Sequence, residues 1–304
     1  PIHVDSNHGT LLVDEYRRLR LCRATGDIPR LAAIPAGLSC EDDRIQDAPS
    51  TGPVPNGQFR GSVSAVIWNS QALFCHKDDK HEAKANYVHV LAAQYDIILL
   101  SEVHGLHGGP ELWRPPFGFE AYWSLGTEAG SAGVGILIKK TLRNKFTVCS
   151  PEHIWKGRAL LLRLRGPEGC LDICSIYAHT GSKISPNELA EVFLRSRASC
   201  TSQKHLRDHL RLRIAKSLQS QNDALTLLGG DFNWTVDERD RCSKTKASWT
   251  GSKDILDKQD FQKQLGQKFG LFEAYQPEMT HENGLAISRL DRIYLNDHLL
   301  DQFD

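Results

Sequence analysis

Short apolar runs and stretches with helical spacing alternate from about residue 62 to the end of the chain. Each run has the length of a buried strand. Helical spacing is clearest over Asp79–Gln94, where Tyr87 and Leu91 fall on one face and acidic residues lie near the start, as the helix dipole favours. The predicted strands are Ser62–Trp68, Asp96–Ser101, Phe119–Trp123, Gly133–Ile138, Ala159–Leu164, Leu171–Tyr177, Ala224–Gly229, Phe272–Ala274 and Leu290–Leu295.

A second and longer helical stretch spans Asn187–Leu218, with a break or kink near Ser199–Ser202. Hairpin-like pairs of strands and helical crossovers therefore occur in the same chain. This mixture predicts an α/β protein built on mixed sheets.

The first 60 residues follow a different pattern. Leu11–Ala24 has the spacing of one amphipathic helix, whereas Ile34–Gly61 is rich in Pro, Gly, Ser and Asp with little periodicity. We therefore expect residues 1–60 to form an extension or linker and residues 61–304 to form the folded domain.

The composition is that of an ordinary globular protein, since 40% of the 304 residues are apolar and 24% are charged. Lys plus Arg and Asp plus Glu each number 37, so no overall basic charge indicates a nucleic-acid partner, although a local basic patch is enough for one. No apolar run of about 18 residues predicts a membrane span, and no signal-peptide pattern is found. The eight cysteines are scattered without a C-x-x-C pair, which favours a reducing, intracellular compartment.

A basic run lies on the second helical stretch. It consists of Lys204, Arg207, Arg211, Arg213 and Lys216. Two interpretations fit this run: a solvated helix face, and a patch that binds the DNA backbone.

The segment Leu227-Leu228-Gly229-Gly230-Asp231-Phe232-Asn233 carries the clearest candidate chemistry. An apolar run and two glycines precede a carboxylate and an amide, and we expect the glycines to let the backbone approach a ligand. If the strand stays extended, Asp231 and Asn233 share one face. Both side chains suit an oxyanion and its hydrated metal ion. An Asx-type turn that closes a buried strand is the alternative.

Four other polar residues end or enter predicted strands, where sites in α/β proteins usually lie. They are Asn69, Glu102, Tyr177 and Asp291. Each also has a structural interpretation: an amide that caps a turn, a carboxylate that begins a loop, a core aromatic with a hydrated hydroxyl, and a partner for an arginine, respectively.

The order of these landmarks resembles the endonuclease/exonuclease/phosphatase superfamily over about residues 62–304. The matching segments are Asn69, Ser101-Glu102-Val103-His104, Gly133-Val134-Gly135-Ile136, Gly157-Arg158, Tyr177, Gly230-Asp231-Phe232-Asn233 and Arg289-Leu290-Asp291. The resemblance implies a four-layer α/β sandwich, in which two mixed β-sheets pack face to face with helices outside.

Within this superfamily, the spacing from Thr280 to Ser288-Arg289-Leu290-Asp291 is most similar to the apurinic-type endonuclease domains of non-LTR retrotransposons. The implied function is a phosphodiester hydrolase that uses Mg²⁺, with Mn²⁺ as the other candidate, and nicks DNA in the nucleus. A phosphatase or RNA-directed nuclease of the same fold, and an inactive copy without enzymatic activity, are the alternatives.

The resemblance also implies roles for single residues. Glu102 would hold the metal, with Asn69 contributing through water. Asp231 would orient or deprotonate the attacking water, and Asn233 and Tyr177 would donate hydrogen bonds to the phosphate. The residues expected to bind substrate are His104, Arg158, Thr280 and Ser288.

Asp291 would orient a histidine that superfamily members carry in a later S-D-H segment. Asn296-Asp297-His298 is similar to it, but it follows Asp291 too closely for a strand and a turn to intervene. We therefore expect residues 61–304 to be a domain truncated at its C-terminus, taken from a longer polyprotein. The chain also departs from the pattern at Tyr177-Ala178-His179-Thr180, where Pro-Asn is usual. The histidines near His104 lack a consistent ligand spacing, so a carboxylate-rich magnesium or manganese site is favoured over zinc.

Overall fold

The computed structural model describes residues 4–5, 10–13, 19–23, 57–74, 81–105, 113–126, 132–180, 190, 202–251, 254–274, 276, 278–282 and 284–296. Within these residues, two large mixed sheets pack face to face and helices cover their outer surfaces. The predicted four-layer α/β sandwich is therefore confirmed.

The first sheet contains seven strands in the described part of the chain. They are β1 (Val4–Asp5), β2 (Thr10–Val13), β3 (Leu19–Arg23), β4 (Val63–Asn69), β5 (Ile97–Ser101), β6 (Phe119–Ser124) and β7 (Val134–Lys139). Their spatial order is β1-β2-β3-β4-β5-β7-β6, with β4 parallel to both β3 and β5.

The second sheet has six strands among the described ranges: β8 (Val148–Trp155), β9 (Ala159–Gly166), β10 (Gly169–Tyr177), β11 (Leu225–Asp231), β14 (Phe272–Glu273) and β17 (Asp291–Leu295). Their order is β14-β17-β11-β10-β9-β8. A small third sheet, ordered β13-β12-β16-β15, is built from β12 (Arg241–Ser243), β13 (Ser248–Trp249), β15 (His281–Glu282) and β16 (Ala286–Ser288).

The helices lie outside the two large sheets. They are α1 (His81–Gln94), α2 (Lys140–Arg143), α3 (Gln203–Ser217), α4 (Ile255–Phe261) and α5 (Gln267–Phe269), with a π-helical turn at Gln262–Gly266 and a 3₁₀ turn at Glu238–Asp240. Ser202 caps α3, because its hydroxyl accepts a hydrogen bond from the backbone nitrogen of His205 at 3.3 Å. Apart from residue 190, the part of the predicted helical stretch before Ser202 lies outside the described residues. No described helix is long and apolar enough to cross a membrane.

Among the described residues, three apolar clusters hold the layers together. The largest lies between the sheets, where Ile67 and Leu99 of the first sheet meet Leu227 of the second. The outer face of the second sheet packs against Leu206, Leu210 and Ile214 of α3. The outer face of the first sheet packs against α1. Each sheet is thus buried on both faces, which explains why its strands appear in the sequence as continuous apolar runs.

Strand pairing brings the candidate residues to one edge of the sandwich. Asn69, at the end of β4, is paired with Ser101, next to Glu102. In the second sheet, Tyr177 is paired with Asp231, which also pairs with Asp291 of the antiparallel strand β17. The strand ends that the sequence marks with polar residues therefore meet.

One sequence prediction fails at the N-terminus. Within the predicted helix Leu11–Ala24, the described segments lie in β2 and β3 rather than in a helix. β3 pairs in parallel with β4 and continues the hydrogen-bond ladder of the first sheet. Pairing of an otherwise open edge outweighs the local helical spacing.

Gln58 and Phe59, just before the predicted boundary at residue 61, also pack on the domain. Phe59 is fully buried between the sheets, with its ring centroid 5.0 Å from that of Phe146. Gln58 forms an isolated parallel bridge with Cys170. Most of the predicted linker Ile34–Gly61 lies outside the described residues, so its character stays a prediction.

The two glycines before Asp231 pack against protein rather than leaving space for a ligand, which corrects the expectation from the sequence. A Cβ on Gly229 would lie 2.8 Å from Ile67 Cγ2 and 2.9 Å from Leu99 Cδ1, across the contact between the sheets. Gly230 has a φ of 141°, and a Cβ there would lie 2.0 Å from the carbonyl oxygen of Ile176. Close packing of the backbone therefore requires both glycines.

Neither sequence interpretation of the basic run on α3 fits its arginines. The side chains of Arg207 and Arg211 are largely buried and both contact Asp257 of α4 at 2.7 Å. The guanidinium of Arg213 lies 4.3 Å from the ring centroid of Trp155. These arginines attach α3 to neighbouring elements instead of forming a solvated face or a DNA-binding patch.

We predict that Gly229→Ala destabilises the protein by about 1–3 kcal/mol, because the added methyl group overpacks the contact between the sheets. Urea denaturation followed by circular dichroism measures the change. Gly284→Ala is the control, since a Cβ there meets nothing within 4 Å. Equal stabilities of the two variants would contradict the proposed sheet contact.

Candidate active site

An open cleft of about 380 Å³ lies at the edge where the strand ends meet. Its lining combines carboxylates, amide and hydroxyl groups, an arginine and a histidine. The residues are Glu102, Thr180, Asp231, Asn233, Trp234, Thr235, Arg241, Asp254, His281, Ser288 and Leu290. The cleft thus contains the predicted residues Glu102, Asp231, Asn233 and Ser288.

Asp231 is held from two sides. One carboxylate oxygen, Oδ2, accepts a hydrogen bond from Asn69 Nδ2 at 3.1 Å, which joins the two sheets. The other, Oδ1, accepts from the backbone nitrogen of Asn233 at 2.9 Å. This second bond closes an Asx turn, and Asn233 has a φ of 52°. The strand therefore does not stay extended, and the turn rather than strand alternation brings Asp231 and Asn233 together.

The turn is also attached to the end of β10. Asn233 Nδ2 donates to the carbonyl oxygen of Ala178 at 3.0 Å, and the backbone nitrogen of Ala178 donates to the carbonyl oxygen of Asp231 at 2.8 Å. His179 is buried, with its ring centroid 4.8 Å from that of Trp155, and Thr180 lines the cleft. The departure from the usual Pro-Asn at this place therefore leaves the loop in contact with the site.

Glu102 and Tyr177 lie close to each other and to Asp231. The Glu102 carboxylate lies close enough to the Tyr177 hydroxyl to affect its pKa, and the Arg158 guanidinium lies 4.8 Å from the Tyr177 ring centroid. Burial raises the pKa of Tyr177, and the negative charge of Glu102 raises it further. The phenol therefore keeps its proton and remains a hydrogen-bond donor. Tyr177 is buried, as expected of a core aromatic, yet its hydroxyl reaches the site.

Asp231 is buried among negative charges. Burial raises its pKa, and the charges of Asp291 and Glu102 raise it further, against the opposing effect of hydrogen bonds from Asn233 and Asn69. The pKa of the Asp231 carboxyl group is thus well above its ordinary value. Such convergence of acids is a frequent property of functional sites.

Asp291 and Thr280 are joined through the backbone. Thr280 Oγ1 accepts hydrogen bonds from the backbone nitrogens of Leu290 and Asp291, at 2.8 and 3.0 Å. A hydroxyl has two acceptor lone pairs and one donor hydrogen, so these bonds leave that hydrogen to donate. Thr280 therefore positions the start of β17, and its predicted contact with substrate stays a prediction.

His104 follows Glu102 in the loop after β5, and both residues have positive φ values, of 42° and 51°. Burial lowers the pKa of His104; the charge of Glu102 raises it, whereas Lys84 and Arg158 lower it. The imidazole is therefore mainly neutral near pH 7. The predicted substrate residues His104 and Arg158 thus lie close to each other, beside Glu102. His298, the alternative histidine, lies outside the described residues.

Arg241 and His281 are cleft residues that sequence reasoning missed. They lie on β12 and β15, directly across from Ser288 of β16, so the three form one row across the small sheet. All three line the cleft. The strands that carry them contain two or three residues, which is too short for a period of two to be detected. The alternation of Ala286-Ile287-Ser288 next to Arg289 was the signal closest to this row.

The oxygen-rich donor set fits a hard divalent cation. Glu102 and Asp231 supply carboxylate oxygens, Asn69 supplies an amide, and the repulsion that raises the pKa of Asp231 is of the kind that a cation relieves. In the part of the chain that the structure describes, no three Asp, Glu, His or Cys side chains are grouped so as to hold a cation alone. Such a site suits Mg²⁺, which keeps several water ligands.

Comparison with known proteins agrees with this geometry. The profile of the Endonuclease/Exonuclease/phosphatase family matches residues 66–302. The chain belongs to this family. Family members hydrolyse phosphodiesters, mostly with divalent metals. Among curated proteins, no sequence matches this chain significantly.

Solved structures of endonuclease/exonuclease/phosphatase proteins share the fold at low identity. The AP endonuclease LMAP from Leishmania major is 13% identical, with 79% of this chain and 80% of that chain covered and a TM-score of 0.53. The APE2 catalytic domain from Xenopus laevis is 14% identical, with 78% and 83% covered and a TM-score of 0.50. The endonuclease domain of TRAS1, a telomere-specific non-LTR retrotransposon, is 13% identical, with 78% and 86% covered and a TM-score of 0.47. The first two confirm the architecture of this family.

We predict that millimolar Mg²⁺ stabilises the folded protein by about 1–3 kcal/mol relative to EDTA, because the cation binds the folded state alone. Glu102→Gln should remove most of this effect. Thermal unfolding with and without Mg²⁺ measures it. Glu168→Gln, at an exposed position, is the control and should respond as the wild type does. A response of Glu102→Gln equal to that of the control would count against the assigned ligand.

We also predict that Thr280→Val costs about 1–3 kcal/mol, since it removes the acceptor for two backbone N–H groups at the start of β17. Thr280→Ser keeps the hydroxyl and should cost clearly less. Urea denaturation of the pair decides the point. Valine and serine variants of equal stability would show that the hydroxyl does not hold this strand.

Proposed function

We propose that this protein is a Mg²⁺-dependent endonuclease that nicks DNA. The observation that carries the proposal is the meeting of Glu102, Asp231 and Asn233 in one cleft. Asn69 is hydrogen-bonded to Asp231, and Tyr177 and Asp291 lie beside these acids. Family membership supports phosphodiester hydrolysis. DNA as the substrate, Mg²⁺ as the metal and nicking as the outcome are the finer parts of the proposal.

The shape of the cleft favours a polymeric substrate over a small phosphate ester. Arg241, Ser288 and His281 lie on three adjacent strands, so their row spans about 10 Å, two strand spacings. That length exceeds a single phosphate group. An arginine and a histidine along such a row suit the successive phosphates of a nucleic-acid strand.

The chain's own residues supply the remaining chemistry. A bound Mg²⁺, held by Glu102 with Asn69, would neutralise charge on the phosphate. Asp231 would accept a proton from the attacking water, a task for which its raised pKa suits it. Tyr177 and the second amide hydrogen of Asn233 would donate to the phosphate oxygens as negative charge develops. Asp291 would orient the histidine that superfamily members supply.

The spacing from Thr280 to Asp291 motivates the narrower proposal that the protein acts for a retrotransposon, in the nucleus. In this structure, that spacing allows the Thr280 hydroxyl to support the backbone of Asp291. Sequencing the reading frame around the gene tests this part. A reverse transcriptase in the same frame is expected, and a solitary hydrolase frame would contradict it.

The test of activity uses the product of the complete reading frame, supercoiled plasmid and Mg²⁺. We expect conversion to nicked circles, detected by gel electrophoresis. Asp231→Asn should lower the rate by about 10²–10⁴-fold, the range for loss of a catalytic acid or base. Glu102→Gln, which removes a charged metal ligand, should also lower it. Glu168→Gln serves as the control and should cleave as the wild type does.

Two further substrates distinguish the alternatives. Cleavage of single-stranded RNA without nicking of plasmid would support an RNA-directed nuclease. Release of phosphate from a small monoester, again without nicking, would support a phosphatase. Wild-type protein without activity on any of the three substrates would contradict an enzymatic function.

A further inference from the structure

A buried ionic cluster lies directly behind the strand that carries Asp291. The arginines on either side of Asp291 in sequence, Arg289 and Arg292, both bind Asp240 and Glu273. Asp240, Arg289 and Arg292 are each at most 4% exposed. The four side chains thus form one ionic cluster within the domain.

Asp240 accepts hydrogen bonds from two different elements. Its Oδ1 accepts from Nε and Nη2 of Arg289, at 2.9 and 2.6 Å. Its Oδ2 accepts from Nη2 of Arg292 and from the backbone nitrogens of Val236 and Asp237, both at 2.8 Å. A further backbone bond runs from the nitrogen of Arg289 to the carbonyl oxygen of Asp240, at 2.8 Å.

The two elements that meet at Asp240 each carry part of the proposed active site. Val236 and Asp237 end the segment that begins with the Asx turn at Asn233. Arg292 belongs to β17, the strand that places Asp291 beside Asp231, and Arg289 lies two residues before that strand begins. The Asp240 carboxylate therefore adds a side-chain link between these two elements, next to the backbone hydrogen bond from the nitrogen of Phe232 to the carbonyl oxygen of Leu290 at 3.0 Å.

A role in stability alone does not account for this arrangement. Burial of an ion pair costs desolvation that the attraction between the charges often only repays, so such pairs contribute little net stability compared with apolar residues. The cluster does fix the orientation of the Asp240 carboxylate relative to its partners, because guanidinium groups and backbone N–H groups bind a carboxylate only in fixed geometries.

We propose that Asp240 is a positioning residue that holds the Asn233 turn and Asp291 in register for phosphodiester cleavage. This inference rests on the proposed function and adds a residue that touches neither substrate nor metal. Asp240 acts through Val236 and Asp237 on one side and through Arg289 and Arg292 on the other.

Glu273 provides a matched control within the same cluster. Its Oε1 accepts from both arginines, each at 2.7 Å, and its side chain is 24% exposed. Glu273→Gln can keep Oε1 in place and turn its new NH₂ group towards solvent. Asp240→Asn has no such choice, because every group around its two oxygens is a donor and the NH₂ must face one of them. Both variants remove one negative charge that faces the same two arginines.

The kinetic experiment compares plasmid nicking by wild type, Asp240→Asn and Glu273→Gln, expressed from the complete reading frame. We expect Asp240→Asn to lower kcat on the order of 10²-fold with little change in KM, since small displacements of reacting groups cost rate rather than binding. Glu273→Gln should retain kcat within about threefold, on the same reasoning. Equal losses of kcat in the two variants would overturn the proposal.

Two additions keep the result decisive. If Asp240→Asn does not fold, Arg289→Lys replaces the paired contact with a single one and keeps the charge; an unchanged kcat in that variant would also overturn the proposal. Hydrogen exchange of the Val236 and Asp237 amides provides a readout without catalysis. Exchange of these two amides should accelerate in Asp240→Asn but not in Glu273→Gln. Unchanged exchange would refute the positioning role of Asp240.

Failure of the proposed function gives a different pattern. Wild-type protein that cuts no substrate would refute the endonuclease, and amide exchange alone would then decide whether Asp240 joins the two elements. Wild-type protein that nicks DNA while Asp240→Asn behaves like Glu273→Gln would leave the endonuclease intact and refute the positioning role.

Discussion

The contact between the two sheets at Gly229 is the constraint on which the site depends. Without a Cβ, this residue lets Ile67 and Leu99 of the first sheet pack directly against the backbone of β11. Side chains two positions apart lie on the same face of a strand. Asn69 therefore follows Ile67 on the inner face of β4, just as Asp231 follows Gly229 on that of β11. The 3.1 Å hydrogen bond between Asn69 and Asp231 is the next step along the same contact.

Asp231 differs from two other buried acids of this domain in the charges that surround it. Asp240 and Asp257 are each surrounded by guanidinium groups, and although burial alone would raise the pKa of each, the arginines lower it below its ordinary value. Asp231 instead faces the charges of Asp291 and Glu102, which add to the effect of burial and raise its pKa. Asp240 and Asp257, whose charges the arginines neutralise, hold neighbouring elements together. Asp231, whose pKa is raised by neighbouring acids, is the one to which the proposed function assigns chemistry.

The sequence predicts the fold where local and tertiary preferences agree. Continuous apolar runs identify most strands of the two large sheets, because those strands are buried on both faces. The helix expected over Leu11–Ala24 fails because pairing with β4 is a long-range interaction that local spacing does not contain. The sequence does not indicate that Arg207 and Arg211 are buried for the same reason, since their partner Asp257 lies more than 40 residues away along the chain. The row of Arg241, Ser288 and His281 is likewise formed only by pairing of very short strands.

The two interpretations of Asp231 and Asn233 from the sequence, an Asx turn and a catalytic pair, describe one structure. The turn is present, since Asp231 Oδ1 accepts from the backbone nitrogen of Asn233. It uses a single lone pair of one oxygen, and Asn69 engages the other oxygen. The carboxylate therefore has its orientation fixed by the turn while further acceptor sites remain directed at the cleft. A carboxylate that was free to rotate would have to be ordered at each turnover, so under the proposed function this turn would also serve catalysis.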